Sequence, residues 1–303
     1  MTARPQLQGR AMAKKHIRHI YEKAAGGYDS LIEPYLLGVW RDALGMSHIS
    51  KNARILDLGC GCGGMLREII TDYKGHTLSL TGVDASDGMI EEAKKIGEVA
   101  KNNGHRLSLI CQDCIKYLEA CEEGAYDVVV TAFMLSYVRA SKLFPLVSRA
   151  LRKGGKFVVI TTSDDHLRPL EKIAFDFTIS HFARIKWWLL LRTLLFSKLS
   201  YTQPLETNIR LLHRSNFSKD RVQEKSTFLP VEFDSAKSFF RWLDESGFAA
   251  QYYVFFKMKK EEIYRKMGKF FEKKKYEKIR SSLFKVEKPF TFRWPIYTIV
   301  AEK

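Results

Sequence analysis

Arg54-Ile55-Leu56-Asp57-Leu58-Gly59-Cys60-Gly61-Cys62-Gly63-Gly64 is the stretch on which the fold turns. Ile55 and Leu56 belong to a short apolar run that predicts a buried strand. Gly59, Gly61 and Gly63 follow at alternate positions, ahead of a helical pattern that starts near Met65. Glycine tolerates positive φ and carries no Cβ, so a turn of this kind lets a ligand lie against bare backbone at a helix N-terminus.

The glycines alone do not choose the ligand. Gly59, Gly61 and Gly64 also fit the dinucleotide fingerprint, which leaves NAD, FAD and S-adenosylmethionine open. Asp57 discriminates among them: a carboxylate two residues before the first glycine repels a pyrophosphate and attracts the ammonium of an aminoacyl group. The acid therefore favours the aminoacyl cofactor.

With these residues in place, the chain resembles the class I S-adenosylmethionine-dependent methyltransferases, whose first motif is acid-x-Gly-x-Gly-x-Gly. The resemblance runs from about residue 53 to residue 163. Thr81-Gly82-Val83-Asp84 is similar to the family's second strand and its ribose-binding acid, about 20 residues past the glycines. Ser108 to Cys114 resembles the third strand, with Asp113 where the family contacts the adenine amine. Tyr126 to Val138 resembles the fourth strand and the loop beside the methyl donor, and Leu151 to Ser163 the fifth strand. The resemblance implies a doubly wound α/β fold: a seven-stranded, mostly parallel sheet with an antiparallel terminal hairpin and a lid insertion. It implies S-adenosylmethionine as cofactor, held by Tyr28, Asp57, Gly59, Gly61, Gly63, Asp84, Ala85, Met89, Asp113, Cys114, Ala132 and Phe133. Tyr28 enters because Tyr21 to Asp29 is similar to a Tyr-Asp segment that small-molecule members fold over the cofactor; Met89 is placed against the adenine face.

Composition sets outer bounds. With 303 residues and 46% hydrophobic content, the chain is long enough for one large domain or a core with a lid. A net charge of +16 suggests an anionic partner, either a membrane surface, nucleic acid or an acidic substrate, beside the plainer reading of a basic enzyme. Five cysteines, an odd number, and no recognisable secretory signal predict reduced thiols in a cytosolic compartment. Cys60, Cys62, Cys111 and Cys114 lack the second pair with finger-like spacing that zinc requires, so no metal is expected. The most apolar run, Trp187 to Phe196, is interrupted by Arg192 and falls short of the ~20 residues of a membrane span.

Four regions follow from the order of these signals. Residues 1–50 read as a basic arm leading into a helical lid, and residues 51–163 as the Rossmann-like core that binds the cofactor. Residues 164–234 read as helices followed by a hairpin over Asn208 to Leu212 and Thr227 to Phe233, inserted as an acceptor lid. Residues 235–303 complete the sheet: Ser235 to Gly247 reads as a serine-capped helix, Phe248 to Met258 as a strand, Lys259 to Ser282 as an inserted basic helix and Phe290 to Ala301 as the last strand.

A sulfonium methyl is already activated, so alignment and exclusion of water are the main demands, and a general base is optional. Tyr137 and His181 are the catalytic choices, with His166 and His213 as further histidines in the presumed lid. The expected activity is methyl transfer to an O, N or C nucleophile of a small or lipid-like acceptor, cytoplasmic or peripheral to an anionic membrane. The alternatives are an RNA methyltransferase, a non-catalytic binding protein that keeps the fold and, more weakly, an NAD-dependent oxidoreductase.

Overall fold

The computed structural model describes residues 3–162, 202–247 and 289–303. Helix α1 runs without a break from Ala3 to Ser47, so the basic N-terminus is the start of one long helix and not a frayed arm before a shorter one. Then follow β1 (Arg54–Leu58), α2 (Gly64–Asp72), β2 (Ser79–Asp84), α3 (Asp87–Ala93), α4 (Gly97–Asn102) and β3 (Arg106–Cys111). After these come α5 (Cys114–Ala120), β4 (Tyr126–Ala132), α6 (Ala140–Ala150) and β5 (Leu151–Thr162). The last described elements are α7 (Leu205–Arg214), β6 (Val222–Phe233), α8 (Ala236–Glu245) and β7 (Phe290–Glu302).

The seven strands form one sheet in the order β3-β2-β1-β4-β5-β7-β6. The first five are parallel, and β7 lies antiparallel between β5 and β6. Alternation along β1 sorts the two faces. Ile55 joins one core cluster with Trp40, Leu66, Val130, Ile160 and Trp294, beneath α1, α2 and α8. Leu56 and Leu58 join the other, with Leu118, Phe144, Phe157 and Leu212, beneath α5, α6 and α7. Strands buried on both faces read as continuous apolar runs, which is why β1, β4 and β5 stand out in the sequence.

The last third departs from the expected order of elements. Asn208 to Leu212 lies inside helix α7, because Leu205, Asn208 and Leu212 recur at helical spacing and turn toward the sheet, with Asn208 and Leu212 fully buried. No hairpin joins that segment to residues 227–233. The partner of β7 is β6, paired from Val222 opposite Ala301 to Phe233 opposite Phe290. Residues 205–233 thus build the core sheet itself. The 248–258 segment, expected to be that partner strand, lies outside the described residues, as do the Trp187 region and the basic 259–282 segment. Ser235 caps α8 as expected, through a reciprocal box with Ser238.

Candidate functional site

The carboxyl ends of β1, β2 and β4 meet in one cleft beneath α1, the place where open parallel sheets hold ligands. Its floor is the glycine turn. Gly59, Gly61 and Gly63 all adopt left-handed φ, at 73°, 55° and 86°, a region that side chains with a Cβ enter only at a cost. The amides of Gly59 and Cys60 both donate to the carbonyl of Val83, at 2.7 and 3.2 Å, which docks the turn on the end of β2. A Cβ at Gly61 would meet nothing within 4 Å, so this glycine presents bare backbone to open space. Gly82 serves packing instead: a Cβ there would sit 2.9 Å from Leu66 and Leu109 side-chain carbons.

Two carboxylates flank the turn. Asp84 accepts from the Gly61 amide at 3.1 Å through Oδ2 and from the Ser86 amide at 2.8 Å through Oδ1. Asp57 is 1% exposed, and its Oδ2 is buried without a hydrogen-bond partner. Burial, reinforced by the charge of Asp84, pushes the Asp57 carboxyl up to about 7. Burial raises Asp84 as well, against the pull of its backbone donors. A buried acceptor left unpaired costs free energy unless a donor arrives. An ammonium group is such a donor; a diphosphate is not. The bare glycine backbone, the unpaired Asp57 oxygen and the acid ending β2 together fit an S-adenosylmethionine-like ligand.

The remaining expected residues fall in three groups. Met89 is 2% exposed and lies against the Cys62 thiol at 3.1 Å, beside Ala25, Tyr21 and Tyr28. Ala85, Ala132 and Phe133 stand at the strand ends, and Phe133 takes a left-handed φ of 60°. Its amide donates to the Ile160 carbonyl at 2.7 Å, while its ring packs 5.1 Å from that of Trp294. Asp113 is not on a strand, since β3 stops at Cys111; it is the N-cap of α5, and its Oδ1 accepts from the amides of Ile115 and Lys116. Cys114 is buried in the first turn of that helix, and Cys111 is exposed, donating to Asp87 Oδ1 at 2.7 Å. Among the described residues no three His, Cys, Asp or Glu side chains gather as metal ligands.

Of the catalytic choices, Tyr137 reaches the cleft. A short 3₁₀ turn, Met134–Ser136, follows Phe133 and carries Tyr137 back toward α1, where its hydroxyl lies 2.7 Å from that of Tyr21. His166 and His181 lie outside the described residues. His213 sits at the wrong end of the sheet. It is in the last turn of α7, two residues before Ser215, and the following Ser218 amide bonds the Glu302 carbonyl, opposite Lys156 at the amino-terminal edge of the parallel strands.

Reading the sequence missed three residues that shape the cleft. Tyr21 lies seven positions before Tyr28, two helical turns along the same face, with their rings 6.2 Å apart edge-on. Burial holds both hydroxyl protons more firmly than usual, and the neighbouring Tyr137 adds to the effect. The helical spacing was the available signal. Trp40 covers Gly64, where a Cβ would stand 2.5 Å from the indole. Met134 lies over Gly59, and a Cβ there would collide with its thioether. Neither contact has a sequence signature.

Comparison with known proteins agrees with this geometry. A family model described as "Methyltransferase domain" matches residues 55–155. The chain is 25% identical over 208 residues to a carboxy-S-adenosyl-L-methionine synthase of Desulfotalea psychrophila, covering 67% of this chain and 77% of that protein. It is 33% identical over 122 residues to a sterol 4-C-methyltransferase of Caenorhabditis elegans, covering 38% of this chain and only 34% of that one. Its fold matches the YcgJ protein of Bacillus subtilis with a TM-score of 0.51 at 16% identity, over 87% of this chain and 98% of that structure.

Proposed function

We propose that the chain is a class I S-adenosylmethionine-dependent methyltransferase that moves a methyl group to an O, N or C nucleophile of a small or lipid-like acceptor, a reading supported by the methyltransferase-domain match over residues 55–155 and by the geometry of the glycine turn. S-adenosylmethionine is its cofactor, and when bound it supplies a methyl group already activated by a sulfonium. On this reading Asp57 meets the ammonium of the methionine part, Asp84 the ribose hydroxyls, and the bare backbone at Gly61 the path between them. Met89 and Ala85 flank the adenine, and Asp113 with Cys114 closes its far edge. Ala132 and Phe133 border the reacting methyl.

One observation supports the acceptor class. Phe133, the residue after β4, packs its partly buried ring on Trp294, behind which Trp242, Phe233, Phe239 and Phe292 lie ring to ring in the buried core, so Phe133 is the face of this cluster nearest the strand ends. An apolar wall beside the methyl suits an acceptor with an apolar body and excludes water from the transfer. The named activity of the sterol-methylating relative points the same way, for that protein. Alignment carries most of the rate on this reading. Tyr137 contributes a hydroxyl that fixes the acceptor's orientation, held in place by Tyr21. His181 remains a proposed base for a hydroxyl acceptor.

Location follows the proposal no further than its chemistry: no helix among the described residues is long and apolar enough to cross a membrane. A cytoplasmic enzyme that meets a lipid-like acceptor at an anionic surface accommodates the +16 charge.

The test is methyl transfer from radiolabelled S-adenosylmethionine to a cell extract, comparing the wild type with Asp84→Ala. Label that enters the organic-soluble or small-molecule fraction with the wild type alone supports the proposal. Label in acid-precipitable RNA replaces it with an RNA methyltransferase.

A further inference from the structure

Buried hydroxyls in this fold find partners within the chain in most places. Thr131 Oγ1 donates to the Leu58 carbonyl at 3.0 Å, Ser47 Oγ to that of Leu44 at 2.7 Å, Ser215 Oγ to that of Leu211 at 2.7 Å and Thr161 Oγ1 to that of Thr162 at 3.4 Å. Among the described residues, the hydroxyl oxygens that are buried without a partner are Ser136 Oγ and Thr162 Oγ1, in residues 4% and 1% exposed. A hydroxyl both donates and accepts, and leaving it buried and unbonded costs free energy. Exceptions of this kind point to a partner from outside the chain or to a trapped water.

Both exceptions fall in one place. Ser136 ends the 3₁₀ turn that follows β4, and that turn packs against β5. Thr162 is the last residue of β5, two positions beyond Ile160, which lies in register with Ala132 and takes the Phe133 amide on its carbonyl at 2.7 Å. The two-residue period puts Thr162 on the same face as Ile160, opposite Ile296 and so two residues along β7 from Trp294, on which the Phe133 ring rests. Two unsatisfied hydroxyls therefore stand at the carboxyl ends of adjacent strands, at the border of Ala132 and Phe133.

We propose that Ser136 and Thr162 are specificity-determining residues that hold the polar head of the acceptor, and that the acceptor presents an N–H or O–H group there and is methylated on that nitrogen or oxygen. The inference rests on the reading of the cleft as a methyltransferase site and narrows its acceptor from O, N or C to a heteroatom. An enzyme hydroxyl that accepts the head group's N–H or O–H leaves a lone pair of the same atom free to face the methyl; a carbon nucleophile brings no such proton. That lone pair forms the bond to the methyl carbon, the carbon–sulfur pair stays on sulfur, and the proton lost by the head group passes to water as the product leaves. The aromatic wall at Phe133 takes the rest of the molecule, so the acceptor is amphipathic: a hydroxyl or amine head on an apolar body.

The test uses Ser136→Ala, Thr162→Val and Thr162→Ser in the full chain, the last of which keeps a hydroxyl. Each is assayed with methyl-labelled S-adenosylmethionine and serial dilutions of a cell extract. Labelled organic-soluble and small-molecule product is then heated with hydriodic acid, which releases O- and N-bound methyl as volatile methyl iodide and leaves C-bound methyl behind. Wild-type label should be volatile. The extract concentration that gives half the maximal rate should rise about fivefold or more in Ser136→Ala and Thr162→Val, and stay within about twofold of the wild type in Thr162→Ser. The S-adenosylmethionine Kd, by calorimetry, should change by less than about twofold in all of them. Without acceptor, Ser136→Ala and Thr162→Val should unfold in urea at the wild-type midpoint or above it, because each loses a group that bonds nothing. Non-volatile label overturns the inference, as does an unmoved half-saturation. A lowered urea midpoint also overturns it, since the hydroxyl would then be bonded to water inside the fold. A wild type that binds S-adenosylmethionine yet labels nothing, or labels RNA alone, overturns the acceptor reading itself and this inference with it.

Discussion

Asp57 and Asp84 flank the same glycine turn in opposite states: both oxygens of Asp84 accept backbone N–H groups, while Asp57 keeps Oδ2 buried with no donor. Asp84 is structurally complete and shapes the turn. Asp57 is held ready for a donor from outside the chain. This asymmetry separates the consequences of changing the two acids: loss of Asp84 removes two backbone hydrogen bonds that hold the turn, whereas loss of Asp57 removes a buried carboxylate whose Oδ2 bonds nothing.

Cofactor affinity should therefore depend on pH through Asp57. Its carboxyl sits near 7 before binding, so below that pH it is protonated and offers the ammonium no charge. S-adenosylmethionine Kd measured by calorimetry should rise up to tenfold per pH unit as pH falls from 7 to 6, and level off above about 8. Asp57→Asn should bind more weakly at pH 8, by about 2 kcal/mol, and its Kd should be flat across this range. A wild-type Kd that is also flat would mean that the carboxylate does not meet the ammonium.

The same shift predicts the stability of the ligand-free protein, with the opposite sign from the usual acidic residue. The folded carboxyl lies above its ordinary value of 3.8. Between about pH 4 and 7 the unfolded chain has released this proton and the native state retains it. Stability through this group then falls as pH rises, by about 1.4 kcal/mol per unit at most, and is constant above 7. Asp57→Asn should be more stable than the wild type at pH 8 and no more stable at pH 4, as read by urea unfolding at the two pH values.

Gly59 should be the least replaceable of the three turn glycines. At Gly61 an added methyl enters open space and only the left-handed φ resists it, whereas at Gly59 the methyl also strikes Met134. Gly61→Ala should cost about 1 kcal/mol, the ordinary left-handed penalty, and Gly59→Ala about 3 kcal/mol once overpacking is added. Met134→Ala in the Gly59→Ala background should recover the overpacking part and leave the backbone part. Denaturant midpoints of the single and double variants measure this coupling.

Legibility in the sequence followed the reach of each signal. The turn at Gly59 to Gly64, the acid at Asp84 and the runs of β1, β4 and β5 are local and periodic, and they stand where the residues placed them. The segment 208–212 misled because β-prone residues were weighed without Leu205, whose spacing to Leu212 makes the helix. The partner of β7 was misassigned for a related reason: register between strands distant in sequence is set by the shared sheet, and nothing local in 222–233 announces Phe290. Asp113 showed the same limit on a smaller scale, since an Asp after a strand serves equally as strand end or helix cap. Tyr21 was within reach, because its two-turn spacing from Tyr28 was in the sequence. Its partner Tyr137, 116 positions away, was not.

Phe133 provides a reversal of the normal order of substitutions. A bulky residue at φ 60° is strained, and it is kept there by the 2.7 Å bond from its amide to Ile160 and by the packing of its ring on Trp294. Phe133→Ala loses the ring and keeps the strain. Phe133→Gly loses the same ring and relieves the strain, by about 1 kcal/mol. Both variants should be less stable than the wild type by about 2 kcal/mol or more, yet the glycine variant should exceed the alanine variant by about 1 kcal/mol, the reverse of their order in a helix or strand. Removing the ring also takes away an apolar surface proposed to border the reacting methyl, so any acceptor identified by labelling should show a KM raised at least tenfold in the glycine variant, a larger change than in its S-adenosylmethionine Kd. Equal stability of the two variants would show that the left-handed turn after β4 is not what holds the Met134–Tyr137 segment toward α1.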